Sequence, residues 1–216
     1  MIWEVAAFLV CAFVTWRLTR SSYNQFAHWL NAGLDNEAIT HESQLERLLT
    51  AAGRYYDEAK WVAAEKAYFK VLKFDHKNLT AYRRLGMVYS HLKNYADARE
   101  CFEFVIKAAP QAGDWQNYAT ILFHQKEYPA SAEAMQRSLE LEPTLARFLA
   151  LARLCELTDA HMQQFEALAA AHELQPDDSS VMLLLARWHD RYGTPDQAKH
   201  WRQRAVSHKT ATASTR

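Results

Sequence analysis

The chain is poor in the residues that break helices. Its 216 residues include only five glycines and five prolines. It also lacks any Val/Ile/Thr-rich alternating run, the pattern a half-buried strand requires. Cysteine is scarce: Cys11, Cys101 and Cys155 are odd in number, widely spaced, and form neither a C-x-x-C pair nor a zinc spacing. This argues against a disulfide scaffold and a structural zinc site, and leaves Cys101 and Cys155 as small apolar residues that suit a reducing compartment. Charge of one sign is missing too, since 25 basic residues balance 25 acidic ones, and a general attraction to nucleic acid goes with it. There is no P-loop, no dinucleotide fingerprint and no G-x-S-x-G elbow, so neither an enzyme nor a small-molecule substrate is expected. Among ten histidines no two stand four apart, and Asp177/Asp178 sit where a helix cap explains them, so no metal, no cofactor and no catalytic residue is assigned.

What the chain does have is helix formers. Half of its residues are hydrophobic, and Ala, Leu, Glu, Gln and Arg dominate its long central segment. Leu79 to Pro110 reads as one helix-turn-helix unit. Tyr82, Leu85, Gly86 and Tyr89 fall at i, i+3, i+4 and i+7 on one face of a first helix; Ala98, Phe102 and Val105 line a second, and Pro110 closes the unit. In this order the residues resemble the tetratricopeptide repeat (TPR), with its 34-residue period and its W..LG..Y, A...F..A and terminal P pattern. The resemblance implies an all-α, right-handed solenoid of stacked hairpins whose function is to bind another protein.

The unit recurs. Aligned on the same spine, the solenoid spans 45–209 in units of 45–78, 79–111, 112–144, 145–178 and 179–209. The eighth place is always small: Ala52, Gly86, Ala119, Ala152 and Ala186. The fourth place is always large and apolar: Leu48, Tyr82, Trp115, Phe148 and Met182. Pro110, Pro143 and Pro176 end second helices, with His76 in the first unit's corresponding place. Two departures stand out. Gln164 replaces the small residue found at Ala64, Ala98, Ser131 and Ala198, which predicts a more open fourth hairpin. Arg202 ends the series Tyr68, Phe102, Met135 and Leu168, which predicts a water-facing last helix acting as a cap. Residues 210–216 are Ser/Thr-rich and are expected to be a disordered tail.

The start of the chain reads differently. Ile2 to Trp16 is an apolar run broken only by Glu4, with Trp3 and Trp16 at its ends and Arg17 and Arg20 just beyond. A membrane anchor over 1–20 follows, although about 15 to 17 residues make roughly 25 Å of helix against a hydrocarbon core of roughly 30 Å. A cleaved signal peptide fits worse, because the basic leading segment and an A-x-A site are missing. The arginines place the bulk of the chain on the cytoplasmic side of an inner or plasma membrane as a single-pass protein. Residues 21–44 form a juxtamembrane linker, in which Tyr23, Phe26, Ala27 and Leu30 can line one short helix.

In the TPR family, partners dock on the concave face lined by first helices. The resemblance puts the second, fifth, sixth, ninth and twelfth places there. In this chain the candidate peptide-binding residues are Arg83, Met87, Ser90, Gln116, Asn117, Thr120, Phe123, Arg153 and Arg187. Amides suit a peptide backbone and arginines suit carboxylates. The carboxylate-clamp TPR domains that grip chaperone tails match in kind at Arg83 and Asn117, but Met87, Ala146 and Ala150 stand where an Asn, a Lys and an Arg belong. An anchor followed by repeats resembles membrane-anchored bacterial TPR proteins. The expectation is therefore a membrane-anchored scaffold or adaptor for a protein partner, with no nucleic acid involved. A structural subunit of a larger membrane complex, packing through its transmembrane helix with Glu4 paired there, is the alternative.

Overall fold

The computed structural model describes the backbone of residues 41–214 and the side chains of residues 43–207. The membrane-anchor residues Trp3, Trp16, Arg17 and Arg20 and most of the juxtamembrane linker lie outside the described residues. Among the described residues every regular element is an α-helix, and no helix is long and apolar enough to cross a membrane.

Ten helices follow one another as five hairpins: α1 (His41–Asp57) with α2 (Trp61–Phe74), α3 (Leu79–His91) with α4 (Tyr95–Ala108), α5 (Ala112–His124) with α6 (Tyr128–Leu141), α7 (Leu145–Leu157) with α8 (His161–Leu174), and α9 (Ser179–Tyr192) with α10 (Pro195–Ser214). From α2 to α10 each helix packs on its chain neighbours, and α3 also touches α5. The eighth-place residues are buried, and in the second unit the fit is tight. A Cβ added to Gly86 would stand 2.7 Å from Phe102 Cε2 and 3.2 Å from Cys101 Cβ. Phe102 fills the space the missing side chain leaves, at 1% exposure.

The two kinds of helix start for different reasons. First helices begin with a side-chain acceptor. Asn78 accepts from the Ala81 N–H at 2.9 Å, Thr144 from the Arg147 N–H at 3.4 Å, and Asp178 from the Ser180 N–H at 2.7 Å. At α5 the acceptor comes from inside the helix, where the Asp114 carboxylate takes the Gln111 N–H at 2.9 Å. Second helices α2, α4, α6 and α8 have no side-chain cap. The turn itself delivers the chain into them: Ala59, Lys93, Lys126 and Asp159 adopt left-handed backbone at φ 54, 58, 64 and 54°. In the second unit the Lys93 N–H donates to the Ser90 carbonyl and the Asn94 N–H to the Tyr89 carbonyl, the paired bonds of a Schellman ending. Lys126 and Glu127 repeat it one unit on.

Two expectations need correction. The fourth hairpin is not opened by Gln164: beneath it Ala152, Cys155 and Leu168 are 4%, 0% and 1% exposed. Helix α10 continues through Thr210–Ser214, where composition predicted a disordered tail. From Asp196 to Ser214 it contains neither glycine nor proline, so nothing in the sequence halts propagation. Arg202 is exposed, as are most of the described side chains of α10; Ala198 and Ala205 are the buried ones among them.

Candidate functional site

The nine candidate groove residues divide into three groups. Met87, Ser90, Asn117 and Thr120 line one pocket of about 90 Å³, together with His91, Phe102 and Ile121. Helix periodicity accounts for this: Met87 and Ser90 are three apart on α3, Asn117 and Thr120 three apart on α5, and each pair shows one face to its neighbour. Phe102 closes the floor from α4. The rim is mixed, with the Met87 thioether accepting the Tyr56 hydroxyl at 3.8 Å and the Thr120 hydroxyl turned back to the Gln116 carbonyl at 2.9 Å. The Asn117 amide is half-buried and available for two donors and an acceptor.

Arg83 and Gln116 are committed elsewhere. Arg83 Nε donates to both Asp114 carboxylate oxygens at 2.9 and 3.0 Å, and its Nη2 to the Ala109 carbonyl at 2.9 Å. Gln116 Oε1 accepts from Arg147 Nε at 2.9 Å, while Arg147 Nη1 also holds the Glu142 carbonyl and carboxylate. Both links span 31 residues and tie one first helix to the next. Arg83 and Gln116 therefore hold successive units together. Arg147, at 8% exposure, is a residue that sequence reasoning missed. The signal available was an arginine at N3 of a first helix with an amide 31 residues earlier.

Phe123 is partly buried, tilted on Tyr128 with ring centroids 5.5 Å apart. Arg153 and Arg187 are exposed on α7 and α9. They do not reach the Met87–Thr120 pocket, but they share the ninth place with Met87 and Thr120.

Beside this face runs a series of stacked rings that join units. Trp61 stacks on His91 at 4.1 Å and 8°, Tyr95 on His124 at 4.7 Å and 9°, and His161 on Tyr192 at 3.9 Å and 25°. In each case the first residue of a second helix meets the end of the next unit's first helix. His91 and His124 thus sit in separate stacks. Among the described residues no group of three or more His, Cys, Asp or Glu side chains is placed to hold a metal.

Hairpins of this kind, stacked in register with a pocket between successive first helices, define a helical repeat scaffold. Residues 79–111 match the family described as tetratricopeptide repeat, so the chain carries that repeat and has the fold of TPR proteins. It is similar to a solved structure of MamA protein at 19% identity, with a TM-score of 0.71 over 79% of this chain and 94% of the other. It is also similar to YrrB, described as a TPR protein with an unusual peptide-binding site, at 17% identity and a TM-score of 0.65 over 81% of this chain and 94% of that one. A stretch of 114 residues, half of this chain, is 29% identical to the RNA polymerase-associated protein CTR9 of Caenorhabditis elegans. That stretch spans only 10% of the relative's length.

Proposed function

We propose that the chain is a protein-protein interaction scaffold that docks a segment of its partner across α3 and α5 at the Met87–Thr120 pocket. One observation carries this reading: residues from two successive units converge on a pocket that is apolar at its base and has a primary amide at its edge. Met87 adapts its shape to an incoming side chain, and Asn117 offers both bonds an extended backbone needs. The description of YrrB as peptide-binding supports the reading by analogy of fold. The residues that tie unit to unit, Arg83 and Gln116, set the geometry of the pocket without being contacts. The finer part of the proposal is where the scaffold works. The Ile2–Trp16 run with Arg17 and Arg20 makes it a single-pass protein of the inner or plasma membrane, with its repeats on the cytoplasmic side.

Selection of a random peptide library on the purified full chain tests the docking site. Selected peptides should lose about tenfold in affinity on Met87→Glu and on Asn117→Ala; undiminished binding to both variants contradicts the assignment. Topology is tested by a single cysteine placed in the tail of an otherwise cysteine-free chain. An impermeant reagent should leave it unlabelled in intact cells, and labelling reverses the orientation.

A further inference from the structure

The face carrying the pocket changes character toward its C-terminal end. Met87 and Thr120 hold the ninth place of their units and both line the pocket. The same place in the next two units is held by Arg153 on α7 and Arg187 on α9, both exposed. One helical turn before each arginine stands a leucine: Leu149 before Arg153 and Leu183 before Arg187, the latter 51% exposed. The arrangement is therefore a two-by-two set of Leu and Arg repeated across neighbouring helices.

The electrostatics favour one sign of ligand. Each of these two helices contains a single acidic residue, Glu156 on α7 and Asp190 on α9. Glu156 is held by Arg191 at 3.1 Å, and Asp190 is held by Arg202. The acids of both helices are thus already paired, and none of the ion pairs among the described residues uses Arg153 or Arg187. At the N-terminal end of the face the situation is reversed, since Arg83 is neutralised by Asp114.

We propose that Arg153 and Arg187 form a two-point clamp for an acidic, extended peptide segment, each taking one carboxylate while Leu183 meets an apolar side chain carried between them. The proposal rests on the first-helix face being the docking surface. Arg191 of α9 reaches Glu156 of α7, so the two helices are neighbours, and neighbouring helices lie about 10 Å apart. An extended chain in the polyproline II form advances about 3.1 Å per residue and completes a turn every three residues, so side chains three apart share one face. Carboxylates three residues apart therefore fit the two arginines, and an intervening Leu or Val is turned sideways toward the leucine row. Guanidinium groups bind carboxylates through two parallel N–H donors, which gives this spacing directional force.

The test uses the purified full chain and fluorescein-labelled ten-residue peptides, read by fluorescence anisotropy. A Glu-Leu-Ser-Glu core in a Gly/Ser background should bind. Changing both Glu to Gln on the unaltered chain should weaken binding about tenfold, as should moving the two Glu to adjacent positions. The Arg153→Glu/Arg187→Glu chain should lose the acidic peptide and gain the version with Lys at both positions; both side chains are exposed, and far-UV circular dichroism checks that the fold is kept. Binding insensitive to Glu→Gln, binding independent of carboxylate spacing, or tighter binding of an oligonucleotide of equal charge overturns the clamp. If library-selected peptides still depend on Met87 while the acidic peptide fails to bind, the clamp alone is wrong. If neither peptide depends on this face, the docking surface itself is wrong.

Discussion

Arg83 and Asp114 join two repeats through one buried carboxylate. The arginine reaches from α3 to the third residue of α5, and Asp114, 3% exposed, uses the same carboxylate to accept the Gln111 N–H. One side chain therefore starts a helix and fixes the spacing between units. Asp114→Ala removes the cap and leaves Arg83 without its carboxylate. A loss of about 2–4 kcal/mol is expected in urea unfolding, below the sum of the separate effects because the two functions share one group. Asp114→Asn, which keeps an acceptor for the Gln111 N–H, should recover about 1 kcal/mol of it.

Gly86 and Phe102 form a matched pair. Because a Cβ at Gly86 would meet the Phe102 ring at 2.7 Å, Gly86→Ala should cost about 1–3 kcal/mol. The fourth unit contains the compatible alternative, Ala152 above Leu168, both buried. Gly86→Ala/Phe102→Leu should therefore be more stable than Gly86→Ala alone, and thermal unfolding of the three chains measures the coupling.

The left-handed turn residues predict gains. Lys126, at φ 64°, bears a side chain where glycine is unstrained. Lys126→Gly should stabilise by about 0.5–1 kcal/mol, the strain relieved exceeding the extra freedom given to the unfolded chain. Gly193 is the opposite case. Its φ is −110°, and an added Cβ would stand 2.3 Å from His189 Nδ1, so Gly193→Ala should destabilise the last hairpin.

His189 makes that hairpin sensitive to acid. It is 6% exposed between Phe165 and Trp188, and its Nδ1 has no hydrogen-bond partner. Burial lowers its pKa below the ordinary 6.5, and burial lowers that of His172 as well. The unfolded chain then binds more protons than the folded one in the window below pH 6.5. The stability these groups contribute is complete above that pH and is lost as the pH falls through their folded values. The midpoint of unfolding should drop between pH 7.5 and 5.5, and His189→Phe should reduce the drop.

The parts of this architecture that repeat as residue types were legible in the sequence. Small residues at the eighth place and large ones at the fourth mark helix crossings, because packing tolerates little else there. The turns were less legible, since Ala59, Lys93, Lys126 and Asp159 take left-handed backbone without the glycine that ordinarily marks it. Of the candidate site, Met87, Ser90, Asn117 and Thr120 come together as register implied. Register places a side chain on a face but does not identify its partner. Arg83 and Gln116 lie at the expected places yet are held by Asp114 and Arg147 from the following unit. A partner about one repeat away in sequence is invisible to a reading of single-helix faces.

The chain's five methionines provide a direct measure of where a partner docks. With 13C-methyl methionine in the full chain, a library-selected peptide should shift the Met87 resonance. Met135 and Met182, 4% and 0% exposed in the core, and Met162, 65% exposed on α8, should remain in place. A shift confined to Met162, with Met87 unmoved at saturation, would contradict docking on the first-helix face.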